Sequence, residues 1–150
     1  MKRLRLALYT FLQFTWGLPQ NLAGLLWLAF LHKQRREYYR GAIVTYYENH
    51  PRLARLGCFA IGMFIFMDGA IEQSISRRIL VHEYGHTIQS LLFGPLFSLA
   101  VGLPSMLWAM RFRKNRSAYR EKGVAYSSRY PESGANRWGE RATGEQAIDW

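Results

Sequence analysis

The run His82-Glu83-Tyr84-Gly85-His86 sets two imidazoles four residues apart with a carboxylate beside the first. On a helix, residues four apart lie on one face, so both rings can bind a single Zn²⁺, an ion that takes nitrogen and carboxylate ligands. A glutamate in the second position that is not itself a ligand can act as general base, because a metal cation lowers the pKa of water toward neutrality. The chemistry such a trio supports is attack of activated water on a carbonyl.

Two histidines leave zinc under-coordinated, so a third protein ligand is required and the fourth position stays open. His32, His50, Asp68, Glu132, Glu140, Glu145 and Asp149 are the candidates. Glu132 is favoured within Tyr130-Pro131-Glu132-Ser133-Gly134-Ala135-Asn136, because Pro131 suits the first turn of a helix and presents Glu132 just inside it. Asn136 shares the face of Glu132. A dipole-compensating carboxylate at a helix start is the plainer reading of Glu132, and Glu140 and Asp149 stay open as ligands.

With those residues in view, His82 to His86 resembles the signature of the zincin metallopeptidases, and Glu132-x-x-Ala135-Asn136 resembles the second-helix glutamate motif of their gluzincin branch. His82 to His86 followed by Gln89-Ser90 and Gly94-Pro95 is also similar to a group of small bacterial membrane proteins. The zincin resemblance implies a peptidase with zinc on His82, His86 and Glu132 and with Glu83 as general base. It further implies a residue that stabilises the oxyanion; Tyr126, Tyr130, Arg129 and His50 can fill that role, and Tyr130 is assigned it here. Gluzincins often carry Asp where this chain has Asn136. They also resemble one another in holding the peptide against a nearby sheet edge, for which Cys58 to Met67 is the candidate.

The element that must carry the histidines is a helix starting at Ser74 or Ser76 as N-cap and stopping at Gly94-Pro95. On it His82, His86, Gln89 and Ser90 make one polar seam among Ile79, Leu80, Ile88, Leu91 and Leu92, and buried polar groups of that kind require partners. Ile43 to Tyr47 is β-branched and aromatic and Cys58 to Met67 is apolar, which predicts two strands and a small β-hairpin.

Residues Leu6 to Leu31 and Thr87 to Met110 hold no charged side chain, and each run is long enough to reach across a hydrocarbon core of about 30 Å. The expectation is a mainly α membrane protein, one domain over residues 1–150, with membrane segments at 6–31 and 91–110. Gly17 and Pro19 interrupt the first segment, and Pro95 and Gly102-Leu103-Pro104 the second, so broken or re-entrant helices are expected. Re-entry is also what lets Glu132 return to the side of the bilayer on which His86 lies. Of the 20 basic residues, 17 then fall on that side, eight between His32 and Ser90 and nine after Met110, which the positive-inside rule makes cytoplasmic, in a bacterial inner membrane.

The net charge of +10 and pI near 10.2 come from Arg and Lys crowding the ends of the apolar blocks. That placement fits anionic lipid head groups and not nucleic acid. The expected substrate is a peptide or a segment of a membrane protein. The alternative, from another class, is a non-catalytic scaffold whose histidines hold a structural metal or a buried hydrogen-bond network. Cys58 is the only cysteine, which excludes an intrachain disulfide and a cysteine-based zinc site.

Overall fold

The computed structural model describes residues 2–48 and 50–149. Two helices open the chain, α1 (Lys2–Thr15) and α2 (Leu18–Phe30), followed by β1 (Arg35–Tyr39) and β2 (Ala42–Tyr47), a short α3 (Pro51–Ala54), β3 (Phe59–Ile61) and β4 (Phe64–Asp68). The long α4 (Gln73–Phe93) comes next, then α5 (Leu103–Lys114), α6 (Arg116–Glu121) and α7 (Glu132–Thr143). A 3-10 turn at Gly94–Leu96 and a π turn at Ser98–Gly102 join α4 to α5, and a second 3-10 turn at Tyr126–Ser128 precedes α7.

The strands form one sheet in the order β1-β2-β4-β3. Ile43 to Tyr47 pairs in parallel with Phe64 to Asp68, whereas β1/β2 and β3/β4 are antiparallel. The single hairpin expected from 43–47 and 58–67 is therefore corrected to a four-stranded mixed sheet. The apolar run of 58–67 folds back on itself at Gly62, and its second half, β4, is buried along Phe64 to Met67. A strand covered on both faces reads as a continuous apolar run. Val44, Ile65 and Met67 pack against Ile79, Leu80 and Tyr84 of α4. A second cluster gathers Tyr47, Phe64 and Phe66 with Leu31, Leu53 and Tyr9.

Among the described residues no helix is long and apolar enough to cross a membrane. The membrane fold, its transmembrane segments at 6–31 and 91–110 and the inner-membrane placement with a cytoplasmic site are thereby overturned. The physical reason lies in the interruptions. The first block is two helices of 14 and 13 residues parted at Gly17, with Pro19 in the first turn of α2; at 1.5 Å per residue each is roughly 20 Å long, well short of the hydrocarbon core. In the second block α4 ends at Phe93, where Gly94 takes a φ of +51° that a side chain disfavours. The π turn follows, and the 12-residue α5 runs into Arg111, Arg113 and Lys114.

Three polar residues of these apolar helices point inward. Gln13, Gln20 and Asn21 are fully buried, while Leu22, Leu25 and Leu26 lie outside. Gln13 Nε2 donates to the Thr87 carbonyl, Gln20 Nε2 to Ser90 Oγ and to the Gly94 carbonyl, and Asn21 Oδ1 accepts from the Met63 amide. These bonds fasten α1 and α2 to the C-terminal half of α4 and to the β3–β4 turn.

Candidate metal centre

The helix α4 begins at Gln73 with Glu72 at the cap, not at Ser74 or Ser76, and carries both histidines on the side that faces α7. Among the described residues no two other elements pack as extensively as α4 and α7. Glycines make the crossing close. A Cβ at Gly85 would overlap the backbone of Ala135, whose Cα would be 2.8 Å away, and a Cβ at Gly139 would overlap the Val81 carbonyl. Pro131 caps α7 and Glu132 is its first helical residue. A direct crossing of two helices thus brings Glu132 to the histidines, with no membrane passage between them.

Glu132 Oε2 lies 3.0 Å from His82 Nε2 and 3.3 Å from His86 Nε2. All three side chains are buried, Glu132 to 1% exposure. On the far side of each ring a fixed amide holds Nδ1. Asn136 Nδ2 donates to the Ile148 carbonyl at 2.8 Å, so its Oδ1 is the atom turned to His82 Nδ1 at 2.6 Å. Gln89 Nε2 donates to the Pro131 carbonyl at 2.9 Å, so its Oε1 is the atom turned to His86 Nδ1 at 2.7 Å. Both Nδ1 atoms must therefore carry hydrogen, which leaves both Nε2 atoms of neutral rings as lone pairs aimed at a carboxylate oxygen. Three acceptors converging in a buried space require a positive charge between them, a proton or a cation.

The donor set fits a metal. Ligand atoms of His82, His86 and Glu132 lie within 4.8 Å of one another. Zinc bonds of about 2.0–2.2 Å at tetrahedral angles put neighbouring donors roughly 3.3–3.5 Å apart, close to the two distances seen here. Glu132 Oε1 and Glu83 Oε2 are buried with no hydrogen-bond partner. A buried His82–His86–Glu132 group that can bind a metal ion is thus present in the fold.

The electrostatics follow from the same packing. Burial pushes Glu83 up to about 7, helped by the Glu132 charge and opposed by His82. For Glu132, burial favours the neutral acid, yet with a proton and its charge shared at the Nε2 atoms of His82 and His86, the positive charge that the converging acceptors require, the hydrogen bonds and charges of the two rings outweigh it and hold the carboxyl well below its ordinary range. One carboxylate beside the cluster is poised to exchange a proton near neutrality and the other stays ionised.

The remaining candidates are engaged elsewhere. Asp68 Oδ1 accepts from the Ala70 amide, Glu140 Oε1 from the Ala147 amide and Asp149 Oδ1 from Ser127 Oγ. Glu145 takes a two-pronged bond from Arg77 at 2.6 and 2.9 Å. His32 is exposed and contacts the Ala29 carbonyl, and His50 lines a groove beside α3. Tyr130 is not brought to the cluster: it is 53% exposed and its hydroxyl donates to the Ala100 carbonyl. Tyr126 is the tyrosine near it. Its hydroxyl is raised by burial and then by the charges of Glu132 and Glu83, with Ser105 and Glu132 as side-chain neighbours. Trp108 of α5 covers this corner and donates Nε1–H to the Tyr126 carbonyl at 2.8 Å.

Residue types and spacing point to the histidines and to Glu132. They do not single out Gly85 and Gly139, whose role exists only once two helices cross, or Gln89 as the residue that orients His86. Compared with family models, with curated proteins and with solved structures, the chain shows no match.

Proposed function

We propose that the chain is a zinc-dependent peptidase of the gluzincin type, with His82, His86 and Glu132 holding the ion. The observation that carries this reading is the convergence of two Nε2 lone pairs and a carboxylate oxygen, each ring locked by an amide on its other nitrogen. Zinc bound there would polarise a substrate carbonyl and acidify water. Glu83, buried next to a ligand and close to neutral pKa, accepts the proton of the attacking water and delivers it to the leaving amine. Tyr126 replaces Tyr130 as the donor to the oxyanion, because its hydroxyl is the one beside Glu132. Gln89 and Asn136 keep the imidazoles in the tautomer that presents Nε2.

A structural metal is the second reading, and the near-complete burial of the three ligands favours it, since structural sites are closed. Metal content and cleavage of a mixed peptide library, measured for wild type, Glu83→Gln and Glu132→Gln, separate the two. The peptidase reading expects stoichiometric zinc in wild type and Glu83→Gln, cleavage in wild type alone, and loss of metal in Glu132→Gln. Metal without cleavage in wild type leaves the structural reading. Wild type that binds no metal sinks both.

A further inference from the structure

A groove of about 670 Å³ opens between α2 and α3, lined by Trp27, Phe30, His50, Arg52, Arg55 and Leu56 among others. Its wall is aromatic: Trp27 meets Phe30 and Phe59 edge-on at 6.1 and 5.4 Å, and Phe30 lies 6.1 Å from the His50 ring. Its charge is one-sided. Among the described residues the arginines that pair with carboxylates are Arg35, Arg40 and Arg77; Arg52 and Arg55 are not among them. Arg113 adds a third guanidinium at the rim, donating to the backbone carbonyl of Arg55. Asp68 lines a neighbouring cavity of about 220 Å³ that shares His50 and Pro51 with the groove. An apolar wall with guanidinium groups at its mouth suits an anion carried on an apolar body.

The groove also adjoins the metal centre through β3. That strand is at the sheet edge, so one side of its backbone is without a strand partner and can pair with an extended chain. At one end Phe59 touches Trp27 of the groove, and the preceding Cys58 is close enough to Glu83 to feel its charge. Cys58 and Ala60 pack against the cluster that contains Leu80 and Tyr84 of α4, so the groove and the helix that carries the histidines meet at this strand.

We propose that this groove is a carboxylate subsite, in which Arg52 and Arg55 take the free C-terminus of a peptide whose last apolar side chain packs on Trp27 and Phe30. The choice of a peptide rests on the peptidase reading above; the anion site itself does not. A charge-assisted bond to a guanidinium is lost when the carboxylate becomes an amide, a loss worth about tenfold or more in affinity.

The test is calorimetric binding of Ala-Ala-Ala-Ala-Phe as free acid and as C-terminal amide to the full-length Glu83→Gln protein, with and without added zinc. The free acid is expected to bind at least about tenfold more tightly. That preference is expected to vanish in an Arg52→Gln/Arg55→Gln variant of unchanged melting temperature, both side chains being exposed. Equal binding of acid and amide, or a preference that survives the double variant, overturns the proposal. Laurate competing as well as the peptide overturns the peptide assignment and gives the groove to a fatty acid. Because Glu83→Gln cannot cleave under the peptidase reading and zinc is varied separately, failure of that reading leaves the acid-over-amide comparison intact.

Discussion

Gly85 of α4 and Ala135 of α7 approach so closely that a single methyl group at Gly85 has no room beside the Ala135 backbone. Backbone cannot rotate away as a side chain can, so Gly85→Ala must push α7 outward and carry Glu132 and Asn136 with it. Overpacking of this kind costs about 1–3 kcal/mol, and the ligand set is disrupted in addition. The expected result is a lower melting temperature together with loss of stoichiometric zinc by mass spectrometry. A variant that keeps full zinc content refutes the account of the crossing.

Gln89→Leu removes the acceptor on His86 Nδ1 and the donor to Pro131 while keeping side-chain bulk in a buried position. Loss of a group that orients a metal-bound histidine typically lowers affinity about 10–100-fold. Competition against a chromophoric zinc chelator should show a loss in that range. Gln89→Glu can still accept from Nδ1 and is expected to retain more of the affinity than Gln89→Leu; the reverse order contradicts the assigned tautomer.

The His82–His86–Glu132 cluster was legible because metal-binding chemistry demands fixed spacing. Two histidines a helical turn apart, and a glutamate presented by the proline before it, announce a site before any fold is known. What surrounds them was not legible for equally specific reasons. The uncharged run from Leu6 to Leu31 looks long enough to span a bilayer only if it is counted through Gly17 and Pro19, which split it, and if Gln13, Gln20 and Asn21 are ignored as minor polar residues. In the fold Gln13 and Gln20 are buried contacts that fix α1 and α2 to α4, and Asn21 ties α2 to the β3–β4 turn. The strand pairing was hidden because a fully buried strand has no alternation to show its register, so β4 gives no hint that it lies parallel to β2. Tyr130 stands nearer Glu132 in sequence than Tyr126, yet it is Tyr130 that lies exposed, with its hydroxyl on the Ala100 carbonyl.

Glu83 has a pH signature in chelator-treated, metal-free protein. Its folded pKa of about 7 stands above the model-peptide 4.5, so the folded state holds this proton more tightly than the unfolded chain does. The group's stabilising contribution is complete below pH 4.5 and is lost as pH rises to 7, by about 3 kcal/mol in total. Glu83→Gln cannot ionise. Subtracting its urea-denaturation stability from that of wild type cancels the other titrating groups. The difference should favour wild type progressively more at pH 5 than at pH 8, and a flat difference contradicts a buried, neutral Glu83.

The two tyrosines give a paired test of the oxyanion assignment. Tyr126 has its hydroxyl beside Glu132 under the cover of Trp108, whereas Tyr130 spends its hydroxyl on the Ala100 carbonyl at the surface. A donor that meets charge only as it develops acts on kcat, and removing one costs roughly 10²–10³-fold. Tyr126→Phe is therefore expected to lower kcat on a cleaved peptide by about that factor, with KM and zinc content little changed. Tyr130→Phe loses one exposed hydrogen bond and should alter kcat by less than about threefold. Equal losses in both variants assign the effect to packing, and a larger loss in Tyr130→Phe returns the role to Tyr130.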